Sequence, residues 1–156
     1  MILGISIVWC AGILIAPMWA DKQGILGDIS MFIYGAFSKA CHQLDDRSLH
    51  IFGNKYAVCS RCTLIYFGFL AGTAVYPFVK KLHDNDLPSL WILFIGAGLV
   101  ALDAGLDTFD VIKNTFLTRE ITGAILGVIL AFFLVPGTIK LFDDFFETRK
   151  NPPKTK

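Results

Sequence analysis

The chain has 156 residues, of which 54% are hydrophobic and 17% charged, and its formal net charge is +1. A soluble domain is about 45–50% apolar and about 25% charged. This composition therefore excludes a soluble enzyme, a disordered chain and, with no basic run interleaved with aromatics, a nucleic-acid binder.

Four cysteines in a chain of this length are also too sparse for a disulfide-knit secreted scaffold. Uncharged stretches cover residues 1–20, 63–79, 87–102 and 121–139. Each approaches the length that crosses a hydrocarbon core about 30 Å thick. They predict an all-α integral membrane four-helix bundle, with spans near 2–20, 60–79, 87–108 and 120–140 of a single domain over 1–142.

The first apolar run has no basic segment ahead of it, and Met18-Trp19-Ala20 is a poor cleavage site. It is expected to be a retained span, with Pro17 and Trp19 at an interfacial end. Between residues 24 and 40, Ile25, Ile29, Phe32, Ile33, Ala36, Phe37 and Ala40 recur at helical spacing. That predicts an additional interfacial or bundle-lying helix with Asp28 and Ser30 near its start. Residues 44–56 carry Asp45, Asp46, Arg47, Gly53 and Asn54, which are turn signals.

In the second span, Gly68 and Gly72 form a small-xxx-small pattern for close helix approach. Pro77 and Lys80-Lys81 are expected to end that span. His83, beside Asp84 and Asp86, reads as solvated loop. The third span starts at Pro88 and reaches Asp103 and Asp107. Thr118 is placed to cap the fourth, with Glu120 in its first turn and Pro136-Gly137 near its end. Residues 143–156 read as a mobile basic tail.

Four spans put both termini on one side and both polar connections on the other. Seven Lys and Arg residues fall on each side. Dense clusters beside span ends outweigh dispersed charges, which favours a multi-pass cell-membrane protein with cytoplasmic termini and an extracytoplasmic cysteine-bearing face.

Three of the four cysteines share one window with two histidines: Cys41-His42, His50 and Cys59-Ser60-Arg61-Cys62. A CxxC turn lets two sulfurs share a tetrahedral ion at about 2.3 Å each. The seventeen residues between Cys41 and Cys59 fall within the range of small zinc loops. The expected site is zinc on Cys41, Cys59 and Cys62 with His50 or His42 as the fourth ligand, His50 being geometrically easier. The same CSRC at a helix start also suits a quinone-coupled thiol–disulfide oxidoreductase, because helix N–H groups and Arg61 stabilise a thiolate. That reading lacks a complete second cysteine pair, since Cys10 lies mid-span. Inert thiols, or a metal with a purely structural role, are the third reading.

Asp103 and Asp107 are four residues apart and share a helix face, with Asp110 three further on. Ionisable groups within a span tend to face the bundle interior or water. They are candidates for acid–base or second-ion chemistry, unless the span simply ends at Leu102. Arg47, Arg61 and Arg119 lie on the same side and present forks suited to phosphate or carboxylate. Pairing with Asp45, Asp46 or Asp107 is their alternative use.

These motifs resemble a family of small prokaryotic predicted membrane proteins catalogued as a domain of unknown function. The resemblance rests on Cys41-His42-Gln43, Arg47-Ser48, Gly53 and CSRCTLIYFG at 59–68. It extends to Gly105-Leu106-Asp107 and to Asn114, Thr115, Arg119, Thr122 and Gly123 in an N-T-x-x-x-R-x-x-T-G pattern. It covers roughly residues 40–127; the family has glycine after CxRCT where this chain has Leu64. The resemblance implies a polytopic membrane protein whose polar motifs form one site, and it brings no activity. Together the residues predict a zinc-dependent membrane protein, a hydrolase or transferase acting on a lipid-like or phosphorylated substrate. Arg47, Arg61 and Arg119 would bind the anion.

Overall fold

The computed structural model describes residues 1–79, 88–109 and 113–150, with backbone only at 143, 144 and 146–150. Lys80-Lys81, His83, Asp84, Asp86, Asp110 and residues 151–156 lie outside the described residues. In chain order the elements are α1 (Ile2–Trp19), α2 (Ile25–Ser38), a 3-10 turn (Asp45–Arg47) and strands β1 (His50–Ile51) and β2 (Asn54–Lys55). They continue as α3 (Ser60–Val79), α4 (Leu90–Thr108) and α5 (Phe116–Lys150).

The four expected spans are present as α1, α3, α4 and the Phe116–Phe142 part of α5, each long and apolar enough to cross a membrane. At about 1.5 Å per residue, the shortest, with 18 residues, reaches nearly across the hydrocarbon. Two boundaries differ from expectation. The fourth helix starts at Phe116 because Thr115, rather than Thr118, caps it: Thr115 Oγ accepts from the Thr118 N–H at 3.2 Å, and Thr118 Oγ donates back to the Thr115 carbonyl at 3.0 Å. Its far end continues through Pro136 to Lys150, so residues 143–150 extend the helix where a tail was expected.

The bundle is built around α3 and α5, which run parallel in close contact. An added Cβ at Gly68 would lie 2.5 Å from the Ala124 carbonyl oxygen, and one at Gly127 would lie 2.2 Å from that of Ile65. The expected Gly68/Gly72 face thus packs on Ala124, Val128 and Ala131 of α5, whose own Gly123 and Gly127 approach the α3 backbone at Arg61 and Ile65. Helices without hydrophobic drive between them associate through such backbone-to-backbone packing. Helix α4 packs antiparallel on α5 through Gly96, against Ile129, and leaves Trp91, Phe94, Ile95 and Leu102 exposed as a lipid-facing surface.

Helix α2 turns back along α1 instead of crossing on its own. Ser30 Oγ donates to the Ala16 carbonyl at 2.7 Å, and Phe37 meets Trp9 edge-to-face at 4.8 Å. Met1, Tyr76 and Phe142 border one apolar recess, so the N-terminus and the ends of α3 and the α5 span share one face of the bundle. The polar connections assemble at the other.

Candidate metal centre and arginine cavity

Cys41 follows the last turn of α2, where its N–H donates to the Phe37 carbonyl at 3.0 Å. Cys59 sits at the start of α3, its carbonyl accepting the Thr63 N–H at 2.9 Å, and Cys62 lies in the first turn. Gln43 joins the two segments. With a φ of +52°, its side-chain amide donates to the carbonyls of Tyr34 at 2.9 Å and Ala57 at 2.7 Å. Lys55 Nζ donates to the Gln43 carbonyl at 3.0 Å, and the Tyr34 hydroxyl donates to the Lys55 carbonyl. The strands β1 and β2 close the intervening chain as an antiparallel hairpin, pairing His50 with Lys55. Positive φ at both Phe52 and Gly53 makes its two-residue turn.

The result is that the sulfurs of Cys41, Cys59 and Cys62 all lie within 4.8 Å of one another. A tetrahedral ion with sulfurs about 2.3 Å away would space them about 3.8 Å apart, which small side-chain rotations reach. The Cys59 N–H donates to Cys41 Sγ at 3.3 Å. The Cys59 thiol is itself held down to about 5, first by the hydrogen bond from the Cys62 side chain. The Cys62 N–H, the Cys41 side chain and the Arg61 charge lower it further, while burial opposes them. The donors are therefore soft sulfurs, one of them held toward the thiolate form, which suits a thiophilic ion such as zinc.

The two imidazoles part company. Both are exposed, and His50 directs Nε2 at Asp45 Oδ1, 3.3 Å away. It does not join the sulfurs, contrary to the expectation that it would be the easier fourth ligand. The hairpin pairing of His50 with Lys55 holds it there. His42 borders the cavity beside the cysteines.

That cavity has a volume of about 210 Å³ and is lined by the three cysteines, His42, Ser60, Arg47, Arg61 and Arg119 among others. Each arginine meets Asp103 or Asp107 through Nη2. Arg61 contacts Asp103 Oδ2; Arg119 and Arg47 both reach Asp107 Oδ2, at 3.1 and 3.3 Å. Asn114 completes the junction, its N–H donating to Asp107 Oδ1 at 3.1 Å and its amide to the Asp103 carbonyl at 2.6 Å. Asp103 and Asp107 were expected to do acid–base work, yet neither lines the cavity. Both stand behind the guanidinium groups as counter-ions.

Three polar atoms beside the cavity are buried without a hydrogen-bond partner among the described residues: Ser60 Oγ, Arg47 Nε and Arg61 Nε. Leaving such a group unsatisfied costs about 1–3 kcal/mol. Arg47 Nε lies 3.7 Å from Asp46 Oδ2, an ion pair beyond hydrogen-bond reach. Ser60 was not singled out from the sequence, although it lies inside the CSRC motif. In the sequence Gln43 is only the third residue of the Cys41-His42-Gln43 motif, and its bridging role depends on which carbonyls come within reach.

A family model described as a predicted membrane protein (DUF2085) matches residues 41–133, more than half of the chain and all of the site. An uncharacterised protein of Methanocaldococcus jannaschii is 36% identical over 133 residues, covering 83% of this chain and 85% of its own length. No solved structure matches significantly.

Proposed function

The chain belongs to the DUF2085 family of predicted membrane proteins, and from that premise we propose that it holds a zinc ion on Cys41, Cys59 and Cys62, with His42, which borders the same cavity, as the candidate fourth ligand. The protein then acts as a metal-dependent hydrolase or transferase on a phosphorylated or lipid-like substrate held beside the ion. The observation that carries this reading is the meeting of three sulfurs from two separate segments in the wall of a cavity lined by three arginines. With His42 bound the site would be closed; with the three cysteines alone a position would stay open, where zinc would polarise an oxygen as a Lewis acid. The arginines would orient an anionic group, and Asp103 and Asp107 would fix the arginines. With cytoplasmic termini the centre would face the outside of the cell membrane.

Elemental analysis of the protein purified in detergent tests the centre. About one zinc per chain is expected, falling away in Cys41→Ser, Cys59→Ser and Cys62→Ser. Full occupancy in Cys59→Ser would remove the ligand assignment. The lowered Cys59 thiol beside Cys62 favours one other reading, thiol–disulfide exchange. There the two thiols would form a disulfide and pass two electrons and two protons to a quinone. Metal-free protein isolated with a Cys59–Cys62 disulfide would select it. One zinc per chain in a protein whose cavity binds no anion would leave a structural metal tying the loop to the bundle.

A further inference from the structure

The three arginines could have been spent entirely on carboxylates, but they are not. A guanidinium engages a carboxylate fully through two parallel N–H groups. Here Arg61 and Arg119 use Nη2 only, and Arg47 adds to its Nη2 contact a 3.7 Å approach of Nε to Asp46, too long for a hydrogen bond. The Nε–H groups of Arg47 and Arg61 remain without hydrogen-bond acceptors among the described residues. Ser60, wholly buried, adds a hydroxyl with no partner. All of these residues border the same cavity. Ser60 and Arg61 also belong to the first turn of α3, where free backbone N–H groups favour an anion.

We propose that this cavity is an oxyanion subsite in which Ser60 Oγ and the Nε–H groups of Arg47 and Arg61 hold a phosphoryl group next to the three cysteines. The inference deepens the reading of the cavity as a substrate site, and it does not require the ion to be present. Asp103 and Asp107 are the largely buried counter-ions of the three arginines, whereas the third carboxylate, Asp46, is 76% exposed and 3.7 Å from Arg47 Nε. Ligand cavities for drug-sized molecules occupy about 300–1,000 Å³, so a volume of about 210 Å³ suits a phosphate or a single headgroup. The contacts to Asp103 and Asp107 hold the guanidinium planes in place and leave the buried Nε–H groups of Arg47 and Arg61 without a hydrogen bond among the described residues.

The test uses full-length protein in detergent, zinc-loaded and chelator-treated, with metal content measured on every sample. Inorganic phosphate binding is followed by equilibrium dialysis. Binding of about one phosphate per chain is expected in both samples. Ser60→Ala and Arg61→Lys, checked as folded by their elution and melting, should each weaken it about tenfold or more, as loss of one hydrogen bond to a charged acceptor implies. Arg61→Lys keeps the charge and loses the fork, so it separates geometry from simple attraction. Phosphatidic acid in nanodiscs, with phosphatidylcholine as the control, identifies the source. Competition with phosphate assigns the subsite to a lipid headgroup, and its absence assigns it to a soluble phosphate compound. Phosphate binding that is undetectable in both samples, or equal in wild type and both variants, would overturn the subsite. Binding seen only with zinc and indifferent to Ser60 would do the same, assigning the anion to the ion alone. In each case the zinc measurement stands separately.

Discussion

Arg47, in the first polar connection, reaches across the bundle face to Asp107 at the end of α4, with Nη2 3.3 Å from Oδ2. The same carboxylate oxygen holds Arg119 of α5 at 3.1 Å. Asp107 therefore clasps the loop that carries Cys41 to the helices that carry no cysteine. The two contacts differ in setting: the Arg119 side chain is 10% exposed and that of Arg47 is 42%. A guanidinium near the surface re-solvates when its partner is removed, whereas a buried one is left uncompensated. Asp107→Ala should accordingly lower the melting temperature in detergent more than Arg47→Ala. Asp107→Asn should fall between them, because it can still accept the Asn114 N–H. Tryptophan fluorescence during heating reads the order, and equal melting of Asp107→Ala and wild type would remove the clasp.

His42 and His50 give a second contrast. His42 borders the cavity beside the sulfurs, while His50 faces Asp45. His50→Ala is expected to keep full zinc occupancy. His42→Ala should weaken zinc at least about tenfold, the lower end of what even outer-shell changes cost. Competition with a chromophoric chelator measures both. Loss of zinc in His50→Ala alone would mean that the hairpin rearranges to bring His50 inward when the ion binds.

The spans were legible because a hydrocarbon core demands a long uncharged run, and such runs occur here nowhere else. The cysteine cluster was legible because CxxC constrains two sulfurs locally, and only Cys41 had to be brought to them. What the linear pattern hid depends on rotation and approach. Whether Asp107 serves chemistry or binds Arg47 and Arg119 turns on which faces α4 and α5 present to each other. The hairpin turn at Phe52-Gly53 lacks the Asn-Gly or Asp-Gly pair that announces positive φ at both positions. Phe52 adopts φ of +52° under the pairing of His50 with Lys55. Thr115 and Thr118 are equally good caps by type, and only their reciprocal hydrogen bonds decide between them.

The depressed Cys59 thiol makes a prediction about pH. A thiol near its ordinary value, about 8.5, is mostly protonated at neutrality; Cys59, held to about 5, is a thiolate. In chelator-treated protein, alkylation of Cys59 by iodoacetamide should rise with a midpoint near pH 5. The same shift acts on folding. A thiol whose pKa falls on folding stabilises the native state fully above the unfolded value. That contribution declines as the pH falls and is gone below about 5. Metal-free protein should therefore melt at lower temperature at pH 5 than at pH 8. An alkylation midpoint above 8 would show that the Cys62 and Cys41 hydrogen bonds do not hold the thiolate.

The glycine contacts between α3 and α5 separate stability from metal binding. At Gly123 an added Cβ would lie 2.6 Å from the Arg61 carbonyl oxygen, in the turn that carries Cys62. At Gly72 it would meet the Ala131 Cβ at 2.7 Å, far along the helix from the cysteines. Neither contact can be relieved by a flexible side-chain end, so the helices must part, and overpacking of this kind costs about 1–3 kcal/mol. Gly123→Ala and Gly72→Ala should both melt early. Gly123→Ala should also lose zinc, because the first turn of α3 moves away from Cys41; Gly72→Ala should keep it. Gly98 has nothing within 4 Å of an added Cβ. Alanine is the better helix former by about 0.8–1.0 kcal/mol, so Gly98→Ala should melt no earlier than wild type. If Gly123→Ala melted early yet held zinc as tightly as wild type, the first turn of α3 would not be what brings Cys59 and Cys62 to Cys41.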